Sequence, residues 1–175
     1  MKKLEKILDE FKWESLGNIG EGRQNMGDQV SVLAYRLLQF SFKKVMELSL
    51  GEEKTVELFR EAGWLAGMTF SEKFLDKTLP FSAFAAQLQK VFREEKIGIL
   101  QFEETNVDTL DMILTVSEDL DCSGLPVAGE TVCDYDEGLI AGILSYYTGR
   151  DFDVREIDCW ATGGRVCRFT VHVKA

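Results

Sequence analysis

The spacing of apolar residues changes near the middle of the 175-residue chain. Up to about residue 95, apolar residues recur every three or four positions, which is typical of amphipathic helices. This pattern predicts a short helical segment at residues 1–16 and long helices at residues 28–51, 52–75 and 82–95. Asp28 is predicted to cap the first long helix, and the glycines of residues 17–27 predict a loop before it.

Beyond residue 95, apolar and polar residues alternate, which is typical of half-buried strands. The predicted strands cover residues 97–104, 109–118, 151–160 and 165–174, and a helix at residues 131–148 separates the two pairs. Helices, two strands, a helix and two more strands predict an α+β fold. We expect an antiparallel sheet of about four strands packed against a helical layer.

Small residues predict a close approach of helices. Gly63, Ala66 and Gly67 lie on one face of the second long helix, and a stripe of small residues runs along the helix at residues 131–148. That stripe consists of Gly138, Ala141, Gly142 and Ser145. Because these side chains are short, another backbone can approach closely.

Composition excludes several classes of protein. The chain has 20 Lys and Arg residues against 30 Asp and Glu residues, a net charge of −10, so a direct nucleic-acid partner is not expected. An apolar run long enough to span a membrane is not found in the sequence, and the N-terminus does not resemble a signal peptide. We therefore expect a cytoplasmic protein, in which four cysteines indicate a metal, redox chemistry or buried packing more than disulfides.

The candidate chemistry lies in the last predicted hairpin, "EIDCWATGGRVCRF" at residues 156–169. Alternation places Cys167 on the inward face of the last strand and Glu156 on the inward face of the strand before it. Cys159 lies an odd number of residues from Glu156, so both face inward only if a β-bulge lies between them. Three potential metal ligands then converge on one side of the hairpin.

A closed tetrahedral site needs a fourth ligand, and Cys133, in the first turn of the preceding predicted helix, is the best candidate. Three thiolates and a carboxylate suit Zn²⁺. A disulfide between Cys159 and Cys167, thiols that only pack in the core, and redox use are the alternatives. Cys122 is interpreted as a packing cysteine in a loop. The acidic residues around it are interpreted as a solvated cap: Asp119, Asp121, Asp134, Asp136 and Glu137.

The runs "EDLDCSGLP", "CDYDEGLIAGILSYYTG" and "VREIDCWATGGRVCRFTV" resemble the 4-vinyl reductase domain family. This small-molecule-binding domain also occurs in the sensor regions of aromatic-responsive bacterial activators. The resemblance covers about residues 20–174. Zinc-bearing members share the spacing of Cys133, Glu156, Cys159 and Cys167, so the resemblance implies that these four residues bind a structural zinc ion. It also implies the NO-signalling and Golgi-transport ligand-binding fold, shared with TRAPP vesicle-tethering subunits and usually dimeric.

The resemblance implies two parts of the chain and a pocket. Residues 1–19 would form an N-terminal helical extension that takes part in a homodimer, and residues 20–175 would form the ligand-binding domain. The pocket of the related sensors lies between helices and sheet. Its predicted lining is Trp64, Phe84, Phe102 and Met112, for which plain core packing is the alternative. The single histidine, His172, falls on the polar face of the last strand, which argues against phenol as the ligand.

The function predicted first is a sensor-type domain that binds a small hydrophobic molecule and carries a structural zinc site. An accessory protein or enzyme in vinyl reduction of a tetrapyrrole is one alternative, and a TRAPP-like scaffold is another. The sequence favours a binding protein over an enzyme, because a nucleotide or flavin site is not evident in it.

Overall fold

Residues 2–174 are described by a computed structural model, with side chains described from Lys6 onward. The helices of this part are α1 (Lys2–Glu10), α2 (Ile19–Gly22), α3 (Val32–Leu50), α4 (Glu52–Phe74), α5 (Phe81–Glu94) and α6 (Asp134–Thr148). The strands are β1 (Ile99–Thr105), β2 (Met112–Ser117), β3 (Phe152–Asp158) and β4 (Cys167–Val173). Single turns of 3-10 helix occur at Trp13–Leu16 and Trp160–Thr162.

The chain folds as two compact units, Met1–Leu58 and Phe59–Ala175. The first unit contains α1, α2 and α3, and the second contains α5, α6 and the whole sheet; α4 begins in the first unit and ends in the second. The division into a residue 1–19 extension and a residue 20–175 domain stays a prediction. The outermost residues of those two parts, Met1 and Ala175, lie outside the described residues.

Local capping corrects two of the predicted boundaries. Helix α3 begins at Val32 and not at Asp28, because the Ser31 hydroxyl accepts a hydrogen bond from the Ala34 amide at 3.2 Å and caps the helix. Residues 17–27 are not one uninterrupted loop, since Asn18 caps the single turn of α2. Gly51 ends α3 with a φ of 83°, near the predicted end.

The predicted α+β fold is confirmed. The four strands form one sheet in the order β1-β2-β4-β3, and every neighbouring pair is antiparallel. Helix α5 packs along β1, and α6 packs along β3, so a helical layer covers the sheet. On β4, Cys167, Phe169 and Val171 are buried, which is the predicted inward face, and they join the core of the second unit.

Helices α4 and α6 touch through their backbones. A Cβ atom added at Gly63 would lie 2.0 Å from the Tyr135 carbonyl oxygen, and one added at Gly138 would lie 2.1 Å from the Arg60 carbonyl oxygen. Only glycine fits at such a distance. The predicted small-residue faces of the two helices therefore meet, and four glycines form the crossing: Gly63, Gly67, Gly138 and Gly142.

We expect Gly138→Ala to lower the free energy of unfolding by about 1–3 kcal/mol, because the new methyl group meets backbone and must push the helices apart. Urea unfolding measures the change. Gly22→Ala is the control, since nothing lies within 4 Å of a Cβ at that helical position. Equal effects of the two substitutions would contradict a close crossing of α4 and α6.

Candidate metal centre

All four cysteines of the chain converge in the core of the second unit. Cys122 lies in the loop after β2, Cys133 immediately precedes α6, and Cys159 and Cys167 flank the turn between β3 and β4. Each is a free thiol with at most 1% of its surface exposed. Three segments that are distant in sequence therefore bring their sulfur atoms to one place.

The sulfur atoms lie at distances typical of ligands around a single ion. The Sγ atoms of Cys133 and Cys167 are 3.8 Å apart, and those of Cys122 and Cys167 are 3.1 Å apart. The potential ligand atoms of Asp119, Cys122, Cys133 and Cys167 all lie within 4.8 Å of one another, and those of Cys133, Glu156 and Cys159 form a second such group. Cys133 belongs to both groups and is therefore the centre of the cluster.

Glu156 faces the cluster, as predicted from alternation, and is buried. The predicted β-bulge is confirmed, because the register of β3 against β4 shifts between Glu156 and Asp158. The shift turns Ile157 outward, with 53% of its surface exposed, and lets Cys159 point inward. The bulge therefore places Glu156 and Cys159 on the same side of the sheet.

Glu156 holds the start of α6. Its Oε2 atom accepts hydrogen bonds from the backbone amides of Val132 at 3.1 Å and Cys133 at 3.0 Å. Its Oε1 atom is buried without a hydrogen-bond partner among the described residues. This carboxylate can thus orient the backbone of Cys133, and it still has one oxygen directed at no donor.

The turn between β3 and β4 wraps around the Cys159 sulfur. The backbone amides of Ala161 and Thr162 donate to this sulfur, and the Cys159 amide donates to the Thr162 hydroxyl at 2.9 Å. The strands stop at Asp158 and resume at Cys167, so the connection is longer than the three-residue loop predicted around Gly163. A turn of 3-10 helix fills it, and Gly163 takes a φ of 104°.

Hydrogen bonds within the cluster favour thiolates at two positions. Bonds from the Cys133 and Cys167 thiols lower the pKa of Cys122 to about 3. A bond from Cys133 lowers the pKa of Cys159 to about 6. The pKa values of Cys133 and Cys167 are raised, chiefly by the bonds they form with Cys122. Burial raises the pKa of Glu156 to about 7. Because thiolates are the metal-binding form of cysteine, the cluster is electrostatically prepared for a cation.

The acidic residues beside the cluster are buried, so their interpretation as a solvated cap is wrong for all but Asp134. Asp119 Oδ1 accepts hydrogen bonds from the amides of Asp121 and Cys122, both at 2.9 Å. Burial raises the pKa of Asp119 and Asp136 well above the usual range. Sequence alone could not reveal this burial, because a local run of acids looks the same whether other elements cover it or not.

Glu137 is a structural residue that sequence reasoning missed. It lies in the first turn of α6 and accepts a hydrogen bond from the Glu156 amide at 2.8 Å. Arg60 of α4 also pairs with it, and Arg155 of β3 lies 3.5 Å away. The buried carboxylate therefore joins α4, α6 and β3 next to the cluster, and its charge is compensated by two guanidinium groups.

The donor set fits zinc. Zinc–thiolate bonds of about 2.3 Å place tetrahedral sulfur ligands about 3.8 Å apart, which is the separation of Cys133 and Cys167. The Cys122–Cys167 pair would widen by about 0.7 Å to reach that value. Buried thiols with a carboxylate nearby are the ligand types of structural zinc sites. Cys133, Glu156, Cys159 and Cys167 are the predicted ligands; the structure adds Cys122 to the same cluster.

The four predicted pocket residues all lie in the hydrophobic core of the second unit. Phe84 and Met112 are buried, and Trp64 and Phe102 are partly buried against the same cluster. Phe84 stacks on Tyr147 with ring centroids 4.0 Å apart. Their role in ligand binding stays a prediction. His172 is exposed, as predicted, and its Nδ1 lies 2.8 Å from Asp111.

The comparison with protein families supports the resemblance seen in the sequence. The family model of the vinyl-4-reductase (4VR) domain matches residues 112–173, which span β2 to β4 and include all four cysteines. The predicted resemblance to the 4-vinyl reductase family is therefore confirmed for this part of the chain.

Two curated relatives come from Methanocaldococcus jannaschii. The uncharacterized protein MJ1642 is 25% identical over 150 residues, which cover 86% of this chain and 82% of the relative. The uncharacterized protein MJ0150 is 31% identical over 108 residues, which cover 62% of this chain and 59% of the relative. The second match thus spans less than two thirds of that relative's length.

Three solved structures share the fold. The phenol-responsive sensory domain of the transcription activator PoxR, solved with phenol, has a TM-score of 0.60 at 15% identity, over 84% of this chain and 76% of that chain. A vinyl-4-reductase family protein from Methanocaldococcus jannaschii has a TM-score of 0.57 at 18% identity, over 85% of both chains. A trafficking protein particle complex subunit 3 from Naegleria fowleri, covalently bound to palmitic acid, has a TM-score of 0.60 at 14% identity, over 83% of this chain and 98% of that chain.

Within the described residues, every helix is too short or too polar to cross a membrane.

Proposed function

We propose that the protein is a sensor-type domain that binds a small hydrophobic molecule and is held together at one end by a structural zinc ion. The observation that carries this proposal is the fold, which the chain shares with the phenol-responsive domain of PoxR. The likeness to a trafficking subunit that carries palmitic acid adds a second case of an apolar ligand on this fold. A cytoplasmic location stays a prediction.

The chemistry of the core favours an apolar ligand. The proposed pocket lining, Trp64, Phe84, Phe102 and Met112, brings large apolar side chains from α4, α5, β1 and β2 into one core. The single histidine of the chain is on the surface beside Asp111, so it does not supply a polar contact in that core. A hydrocarbon or lipid chain therefore suits this lining better than a phenol.

The proposed zinc ion acts as a clamp. It would join the start of α6, which carries Cys133, to the turn that carries Cys159 and Cys167. Four protein ligands leave no position for water, so the ion would have a structural role and not a catalytic one. It would fix one end of the layer in which the ligand is proposed to bind.

We also propose that the protein is a homodimer. Helix α3 carries an exposed apolar face, formed by Leu33, Leu37, Leu38, Phe42, Val45 and Leu48. Each of these side chains is at least 59% exposed in the single chain. An apolar face of this extent on a protein surface is typical of an interaction site, and a second copy of the same helix would cover it.

The first prediction concerns the ligand. Native mass spectrometry of the purified protein should show one small hydrophobic molecule per chain, because the proposed lining is large and apolar. Met112→Phe, which changes the lining with little change in volume, should reduce that occupancy severalfold. Val154→Ile, which enlarges a core residue of β3, is the control and should leave it unchanged. Protein that carries no organic ligand under any purification would contradict sensing and favour a scaffold.

The second prediction concerns the clamp. Wild-type protein should contain one zinc per chain, and Cys159→Ser should lose most of it, because serine is a poor zinc ligand. We expect the unfolding midpoint of the variant to fall by roughly 5–10 °C, since 1 kcal/mol corresponds to about 2–4 °C in a chain of this size. Elemental analysis and thermal unfolding measure both effects.

A chelator separates loss of metal from loss of packing. It should destabilise the wild type and leave Cys159→Ser nearly unchanged. Val171→Ala, which removes core volume without touching a thiol, should have a lower midpoint and still respond to the chelator. If wild type and Cys159→Ser respond alike, zinc does not hold this end of the fold.

The third prediction concerns the dimer. Light scattering should give the wild type twice the chain mass of 19.8 kDa, and Leu37→Lys should shift it to a monomer by placing a charge on the apolar face of α3. Gln24→Lys adds the same charge at an exposed polar position and should remain dimeric. A monomeric wild type at micromolar concentration would contradict the proposed association.

A further inference from the structure

We propose that Cys122 is a zinc ligand, so that the ion is bound by four thiolates from Cys122, Cys133, Cys159 and Cys167. Glu156 would then lie outside the coordination shell and orient Cys133. This inference rests on the proposed zinc clamp and changes its ligand set. The sequence pattern alone had assigned the fourth position to Glu156 and left Cys122 as a packing residue.

The position of the Cys122 sulfur is the first argument. It lies 3.1 Å from the Cys167 sulfur, nearer than the Cys133 sulfur does, and the side chain is fully buried. Cys122 also belongs with Cys133 and Cys167 to the larger of the two groups of potential ligand atoms. An ion that binds Cys133 and Cys167 would therefore lie within reach of Cys122.

The loop before Cys122 is built to hold this thiol in place. The Cys122 amide donates to Asp119 Oδ1 at 2.9 Å, and its carbonyl accepts from the Leu125 amide at 2.9 Å. The Leu120 amide donates to the Ile97 carbonyl at 2.9 Å, which ties the loop to the residues before β1. A thiol that only filled space would not need a backbone fixed on both sides.

The turn after Cys159 also reaches Cys122. The Trp160 amide donates to the Cys122 sulfur, while the next two amides donate to the Cys159 sulfur. Amide donors directed at sulfur stabilise thiolates and are common around thiolate-bound metals. One turn therefore serves two sulfur atoms from different parts of the chain, as expected if both sulfurs bind the same ion.

Glu156 already has a different task. Its Oε2 atom accepts from the amides of Val132 and Cys133, so the carboxylate positions the segment that presents the Cys133 thiol. A carboxylate that holds the backbone of a metal ligand is a typical outer-shell group. Its Oε1 atom lacks a hydrogen-bond partner among the described residues and makes Glu156 the competing ligand, which an experiment must separate from Cys122.

X-ray absorption at the zinc edge distinguishes the two ligand sets. We expect wild-type protein and Glu156→Gln to show four sulfur neighbours at about 2.3 Å, because glutamine can still accept the two amide bonds. Cys122→Ser should show three sulfur neighbours and one oxygen or nitrogen, and at least tenfold weaker zinc binding in a competition assay. The cobalt-substituted wild type and Glu156→Gln should have equal thiolate-to-metal charge-transfer intensity.

The outcomes separate this inference from the zinc clamp. Stoichiometric zinc with three sulfur atoms and one oxygen in the wild type, lost from Glu156→Gln and kept in Cys122→Ser, would overturn the role of Cys122 and leave the clamp intact. Wild-type protein without stoichiometric zinc would overturn both. If Cys122→Ser does not fold, the spectra of the wild type and Glu156→Gln still decide between four sulfur ligands and three.

Discussion

The second unit depends on the pairing of polar groups that it buries at the start of α6. Thiols and carboxylates crowd this region, and a buried charge is tolerated only where donors or a cation compensate it. Glu137 meets that requirement with Arg60, Arg155 and the Glu156 amide. Glu156 in turn binds the amides before α6. The strands, the helix and the thiol cluster are therefore fixed relative to one another by a chain of polar contacts and not by apolar packing alone.

The helix crossing makes these contacts possible. Because glycines bring the backbones of α4 and α6 together, Arg60 on α4 lies directly beside the first turn of α6 and reaches Glu137. A larger residue at Gly63 or Gly138 would move that guanidinium away from its partner. The glycines, which have no side-chain chemistry, thus determine whether the buried carboxylate near the cluster is paired.

The sequence predicted what local patterns encode. Alternation along the last two strands, with one odd step between Glu156 and Cys159, was enough to predict the sheet, the inward carboxylate and the bulge. Cys122 was missed because its position depends on a loop, and loops follow hydrogen bonds that no periodicity reports. The acidic run was misinterpreted for a related reason, since the partners of Glu137 lie on α4 and β3, far from it in sequence. Capping residues gave the right helices but not the right first residue of α3.

The bulge in β3 makes the length of that strand more constrained than its composition. Ile157 faces solvent, so many side chains fit there. Deleting this residue, however, would restore regular alternation and turn Cys159 away from the other thiols, while inserting one more beside it would do the same. Substitutions at Ile157 should therefore accumulate freely among relatives, and insertions or deletions between Glu156 and Cys159 should be absent wherever the thiol cluster is kept.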